Sequence, residues 1–124
     1  MDMEAALVPA MQAAFTARVL TSTPDNLELV LPVIKLLDTG GTGDWQRFET
    51  TGVEVDIFHD SKADASALAW QAYRWFMEEM PPALGTVGVR RVNDSTLPVE
   101  TSYQNPNVWR YTFNVTIETH DRRL

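Results

Sequence analysis

The sequence contains no cysteine, which excludes a disulfide framework, a thiolate metal site and a cysteine nucleophile, and fits a chain kept in a reducing compartment. Histidine is nearly as scarce. His59 and His120 are the only two, and neither falls in an H-x-H or H-E-x-x-H spacing, so structural or surface roles are favoured for both over metal binding or catalysis. No serine lies in G-x-S-x-G or S-x-x-K, and Ser61 is sufficiently explained as a helix cap, so nucleophilic catalysis has no candidate. Positive charge is short as well, with ten Lys and Arg against seventeen Asp and Glu, a net charge of −7. The acids concentrate in residues 1–85, which hold thirteen of them against five bases, whereas residues 86–124 hold four acids against five arginines. Gripping a phosphate backbone calls for a basic stripe, so tight nucleic-acid binding is disfavoured. No apolar run approaches a membrane span, and the opening MDMEAALVPAMQAAF carries Asp2 and Glu4 where a secretory signal would carry positive charge. The expectation is a soluble, untargeted protein.

What is present suits one ordinary domain. The 124 residues are 44% hydrophobic, 22% charged and 10% aromatic, a globular composition well away from that of disordered chains. Residues 2–16 read as a helix with Asp2 as N-cap and Leu7, Met11, Ala14 and Phe15 at helical spacing, except that Pro9 predicts a kink or a start near Val8. Arg18 to Thr21 suggest a short strand, Ser22 to Asn26 a turn, and Leu27 to Leu31 a single helical turn. Val33 to Leu37 read as a buried strand, and the four glycines between Asp38 and Gly52 predict a long flexible loop. Val53 to Phe58 alternate as a strand with one wet face carrying Glu54 and Asp56. Ser61 and Asp64 then open a helix that Pro81 and Pro82 end after Met80. Thr86 to Asn93 form a further strand candidate, and from Trp109 to Ile117 every odd position is apolar. This order predicts an α+β fold, a mainly antiparallel sheet of four to five strands with two helices packed on one face.

Three features invite a functional reading, and each has a plainer one. The segment DTGGTGD (38–44) is glycine-rich, but it lacks the Gly-Lys-Ser/Thr ending of a phosphate loop and its acids would repel a phosphate. Glu54 and Asp56 could pair for acid/base work or hold a cation, yet simple alternation toward solvent accounts for them without a third ligand. Trp109, Tyr111 and Phe113 could stack nucleobases, but the stripe continues as Val115 and Ile117, which points to a core. The helix 61–80 is more informative. It carries a core stripe (Ala65, Leu68, Ala69, Ala72, Phe76) and a second stripe (Trp70, Tyr73, Met77, Met80) on an adjacent arc. Burial against a neighbouring subunit and a merely wide core face both remain open for that second stripe.

Three stretches, in this order and spacing, resemble the tail terminator proteins of long-tailed bacteriophages, especially those infecting actinobacteria. They are LPVIKL (31–36) followed by Gly40 and Gly41, VEVDIF (53–58) leading into the Ala-rich helix 63–80, and VRRV (89–92) followed by PNVWRY (106–111) within YQNPNVWRY (103–111). The resemblance implies a structural virion protein rather than an enzyme, a single domain over residues 1–124 without cofactor or metal. It implies a subunit of a homohexameric ring that caps the tail tube, ends its polymerisation and offers a surface for head-tail joining. The partners implied are further copies of the chain, the major tail tube protein and the head-tail connector protein, with DNA met only in passage and no membrane. By position, Trp70, Tyr73, Met77 and Met80 are then the candidates for the ring interface. Gly40, Gly41, Trp45, Arg47 and Phe48 are candidates for contact with tube or connector, and Glu54 and Asp56 for acids lining the channel. The expected location is the head-proximal end of the tail, after synthesis in the host cytoplasm. The competing readings are a head-side connector or tail completion subunit and, from another class, a small-ligand-binding or hydrolytic α+β enzyme.

Overall fold

The computed structural model describes residues 1–44 and 48–121. Asp2 caps the first helix, α1 (Met3–Ala14), by accepting the Ala5 N–H at 3.1 Å. Met3, Leu7 and Met11 recur every four residues and are fully buried. Pro9 neither starts nor ends this helix. It lies on the exposed side, where solvent can satisfy the carbonyl that its missing N–H leaves unpaired. After β1 (Arg18–Leu20) and the one-turn α2 (Leu27–Val30) come β2 (Val33–Asp44) and β3 (Phe48–His59). Ser61 then accepts the Asp64 N–H and opens α3 (Lys62–Arg74), which runs into a π-helical turn, Trp75–Glu79. Three strands complete the chain: β4 (Ala83–Leu84), β5 (Val87–Thr101) and β6 (Trp109–Asp121).

The fold is α+β, as the element order predicts, but the sheet has six strands in the order β1-β2-β3-β6-β5-β4 rather than four or five. It is mixed. β1 runs parallel to β2, and the other pairings are antiparallel. The strands most understated by the sequence are β2, β3 and β5. Asp38 to Gly52, expected as a long loop, is largely a ladder in which Gly40 faces Gly52, Gly41 faces Thr51 and Gly43 faces Glu49. Glycine is depleted in strands, and that is why the segment reads as a loop. Here it serves close approach. A Cβ on Gly41 would stand 1.7 Å from the Thr50 carbonyl oxygen. β5 likewise continues past Asn93 to Thr101, through register shifts that let turn-forming residues stay in a strand.

Both longer helices pack on one face of the sheet. Ile34, Leu36, Val53, Val55, Ile57, Phe113, Val115 and Ile117 meet α1 and α3 there, with Ala65, Ala69 and Ala72 letting α3 lie close. α1 touches β1, β2 and also β4, although β1 and β4 are opposite margins, so the sheet curls around its helices. A smaller second core, Leu27, Val33, Phe58 and Val108 with Tyr103 against them, covers one end of the other face. Among the described residues no helix is long and apolar enough to cross a membrane.

Candidate functional site

The face turned away from α1 and α3 is where the strands present their polar positions. Cα register sets Lys35, Asp56, Thr112 and Val99 in one row across β2, β3, β6 and β5, and Leu37, Glu54, Asn114 and Thr96 in the next. In the first row Asp56 is only 1% exposed. A buried carboxylate needs partners, and Asp56 has them. Arg110 approaches Oδ1 with Nε and Nη2, both at 2.9 Å, and the Thr112 hydroxyl donates to the same oxygen at 2.6 Å. Glu54 stands 3.9 Å from the same guanidinium. The expectation of two acids facing solvent is therefore corrected for Asp56. Alternation puts it on the predicted face, but that face is closed over it by Arg110, 54 residues away along the chain. Leu37, Leu97 and Val99 are exposed toward the margins of this face or of the strands that form it.

The sheet end that carries the glycine-rich hairpin holds a second cluster. Phe48, 38% exposed, pairs in register with His120, which in turn faces Gly88. The Arg90 guanidinium lies 4.5 Å from the Phe48 ring centroid and 3.1 Å from Glu118. The His120 ring lies against Gly88, where a Cβ would come within 2.5 Å of it. Of the residues assigned by sequence to contact with tube or connector, Gly40, Gly41 and Phe48 belong to paired strands, whereas Trp45 and Arg47 lie outside the described residues.

The second stripe of α3 divides. Tyr73 stacks edge-on against Phe113 at 5.8 Å, and Tyr73, Met77 and Met80 pack against the main core while keeping part of their surface free. Trp70 is the outlying member, 38% exposed and edge-on to Tyr73 at 5.6 Å. Trp75, which no stripe included, is buried beside Phe76 at 5.0 Å. Its spacing of three from Ala72 is the signal that would have found it. Tyr111 and Phe113 are buried, so they serve the core rather than a stacking platform. YQNPNVWRY folds as a turn and the start of β6; in the turn Asn105 Oδ1 accepts the Asn107 N–H at 2.9 Å, with Tyr103 edge-on to Phe58 and Val108 buried beneath.

Two remaining groupings offer less. His59 Nδ1 lies 2.8 Å from Asp60 Oδ1, and with Asp64 these atoms fall within 4.8 Å of one another. The two carboxylates are exposed and stand at the amino end of α3, whose partial positive charge disfavours a cation. A shallow groove runs between residues 23–29 and Tyr103–Asn105, where Asn105 donates to Glu28. Compared with known proteins, the chain matches no family model and no curated sequence.

Proposed function

We propose that this chain is a subunit of the ring that caps a bacteriophage tail tube, stopping its polymerisation and presenting a surface to the head connector. The observation that carries the reading is the one-sidedness of the sheet. Two helices cover one face, while the other, beyond its small second core, holds a strongly paired polar row with Leu37, Leu97 and Val99 exposed. Such a surface suits repeated contact with other subunits, and its charges are arranged to neutralise one another rather than to act on a substrate. The stretches that carry the resemblance to tail terminators support the same reading, because they fold as adjoining parts: β2, β3 with α3 over it, and β5 with the turn into β6.

Within this reading Trp70 is the anchor of the ring contact, flanked by Tyr73, Met77 and Met80. The hairpin with Gly40, Gly41 and Phe48 meets the tail tube protein or the connector. Glu54 is the acid left to line the channel, since Asp56 is held by Arg110. Stopping a growing tube requires a ring that fits its end without repeating its growing face, and no bond is made or broken. The test is to grow tails in the absence of this protein and measure them by negative-stain microscopy. Tubes of uncontrolled length are expected. Tubes of normal length that fail only to join heads would assign the chain to the connector side instead, and normal infectious particles would sink both readings.

A further inference from the structure

The helix α3 presents Ala67, Trp70, Gln71 and Arg74 on one outward arc, each three or four residues from the next, and all four are exposed. Arg74 makes no hydrogen bond or ion pair with another described residue. Its neighbour one turn back is Trp70, 38% exposed. A cation and a half-bare aromatic side by side form a patch that the subunit itself does not cover. A patch of opposite charge lies at α2, along the groove of about 670 Å³ between residues 23–29 and 103–105. Asp25 and Glu28 line it, and no base lines it among the described residues. Asp25 is exposed and unpaired, and Glu28 accepts only from the neutral Asn105 amide, so neither charge is compensated. Leu29, on the same groove, is 84% exposed, more than any other large hydrophobic among the described residues.

We propose that the outer face of α3 in one copy docks on the α2 corner of a second copy, with Arg74 toward Asp25 and Glu28 and Trp70 against Leu29. The proposal rests on the ring reading and names the surface that receives Trp70. Charge complementarity selects a second copy as the occupant, since the two uncompensated acids and the unpaired Arg74 lie on the same chain. Arg90 also lies over an aromatic ring, that of Phe48, but Glu118 already holds it. Position agrees with charge. α3 covers β3, β6 and β5 on one face of the sheet, whereas α2 joins β1 to β2 and packs on the second core at the other face. The two patches are therefore different surfaces on different sides of the subunit, and the contact is head-to-tail, as closure into a ring requires. Glu78 and Glu79 follow in the π-helical turn and would be repelled by the acids of the groove. The contact thus runs from Arg74 back toward Ala67, where the arc carries no further charge.

Charge reversal tests this contact without touching a buried group. Asp25→Arg and Arg74→Glu, both at exposed positions, should each weaken self-association several-fold by light scattering, in solution or on isolated tail tubes, and leave urea unfolding of the subunit in place. An equal mixture of the two variants should recover association, because the helix of each then meets a groove of opposite charge on the other. A chain carrying both substitutions should recover it as well. The absence of cysteine allows a second measurement. Leu29→Cys and Gln71→Cys in separate chains, treated with a short bismaleimide, should give a dimer of the two different chains, and each chain alone none. If the unmodified protein associates but the reversals change nothing, or the mixture stays as weak as its components, the contact between α3 and α2 is wrong and the ring reading stands. If the unmodified protein stays monomeric at every concentration and on isolated tail tubes, both fail.

Discussion

Arg110 and Asp56 form an unequal pair: the guanidinium is about a quarter exposed, whereas the carboxylate it holds at 2.9 Å is 1% exposed. The two ends should therefore respond differently to mutation. Arg110→Ala leaves a buried charge with only the Thr112 hydroxyl, and should cost toward the low end of the roughly 3–5 kcal/mol seen when a buried pair is broken. Asp56→Asn removes the charge itself, keeps a group that Thr112 can bond, and frees Arg110 to turn toward Glu54 or water, at about 1–2 kcal/mol. Urea unfolding of the two variants measures the difference. Equal losses, or a larger loss for Asp56→Asn, would contradict this account of the face.

Gly88 and His120 make a second close relationship. The ring lies where a Cβ on residue 88 would be, 2.5 Å from Cε1 and 2.9 Å from Nε2. Gly88→Ala must push the imidazole off the strand and disturb its neighbours Phe48 and Arg90, for a loss of about 1–3 kcal/mol. In a His120→Ala background the same change should cost little, with a coupling above about 0.5 kcal/mol in the double-mutant cycle. Additive losses would mean that the strain lies in the backbone rather than against the ring.

These two relationships also show where sequence reasoning stops. The alternation Val53 to Phe58 and Trp109 to Ile117 placed the core positions correctly, because side-chain direction along a strand is local and periodic. Asp2 and Ser61 announced their helices for the same reason, since a cap acts three residues away. Pairing across strands is another matter. Asp56 and Arg110 are 54 residues apart, and nothing local marks the one as the other's partner. The glycines of 38–52 misled in a specific way. Residue preference gives a loop, and only the position of Thr50 and Thr39 on the opposing strand explains why Gly41 and Gly52 are small. Short margin strands such as Ala83–Leu84 carry too few residues to show any period at all.

Lys62, in the first turn of α3, ties the helix to β5 through Glu100 at 3.1 Å and lies 5.8 Å from the Trp109 ring centroid. The hydrogen bond to Glu100, aided by that carboxylate's charge, raises the ammonium above its ordinary value of 10.5. A group whose proton is held more tightly in the folded state stabilises that state fully below its unfolded value, and the benefit is lost as pH rises through the folded value. Wild type and Lys62→Met should therefore differ in Tm at neutral pH, and the gap should close above pH 10.5. Both partners are largely exposed, so the gap is small and should shrink in high salt. A gap that is flat across this range would show that the charge of Lys62, whether toward Glu100 or over the Trp109 ring, does not carry its contribution.

Trp70 and Phe76 sit on the same helical stretch and separate folding from assembly. Phe76 is fully buried between Trp75 and Phe113, so Phe76→Ala should cost about 3–5 kcal/mol and shift the urea midpoint accordingly. Trp70 keeps its edge-on contact with Tyr73 but is 38% exposed, so Trp70→Ala should cost the subunit only about 1 kcal/mol. Its main effect is expected in association, since a half-exposed tryptophan beside Met77 and Met80 is the kind of anchor on which subunit contacts depend. Light scattering over a concentration series should show Trp70→Ala as a folded protein with a smaller mean mass than wild type. A Trp70→Ala protein that assembles like wild type would remove the outer stripe of α3 from the proposed ring contact. One that unfolds as readily as Phe76→Ala would return Trp70 to the core.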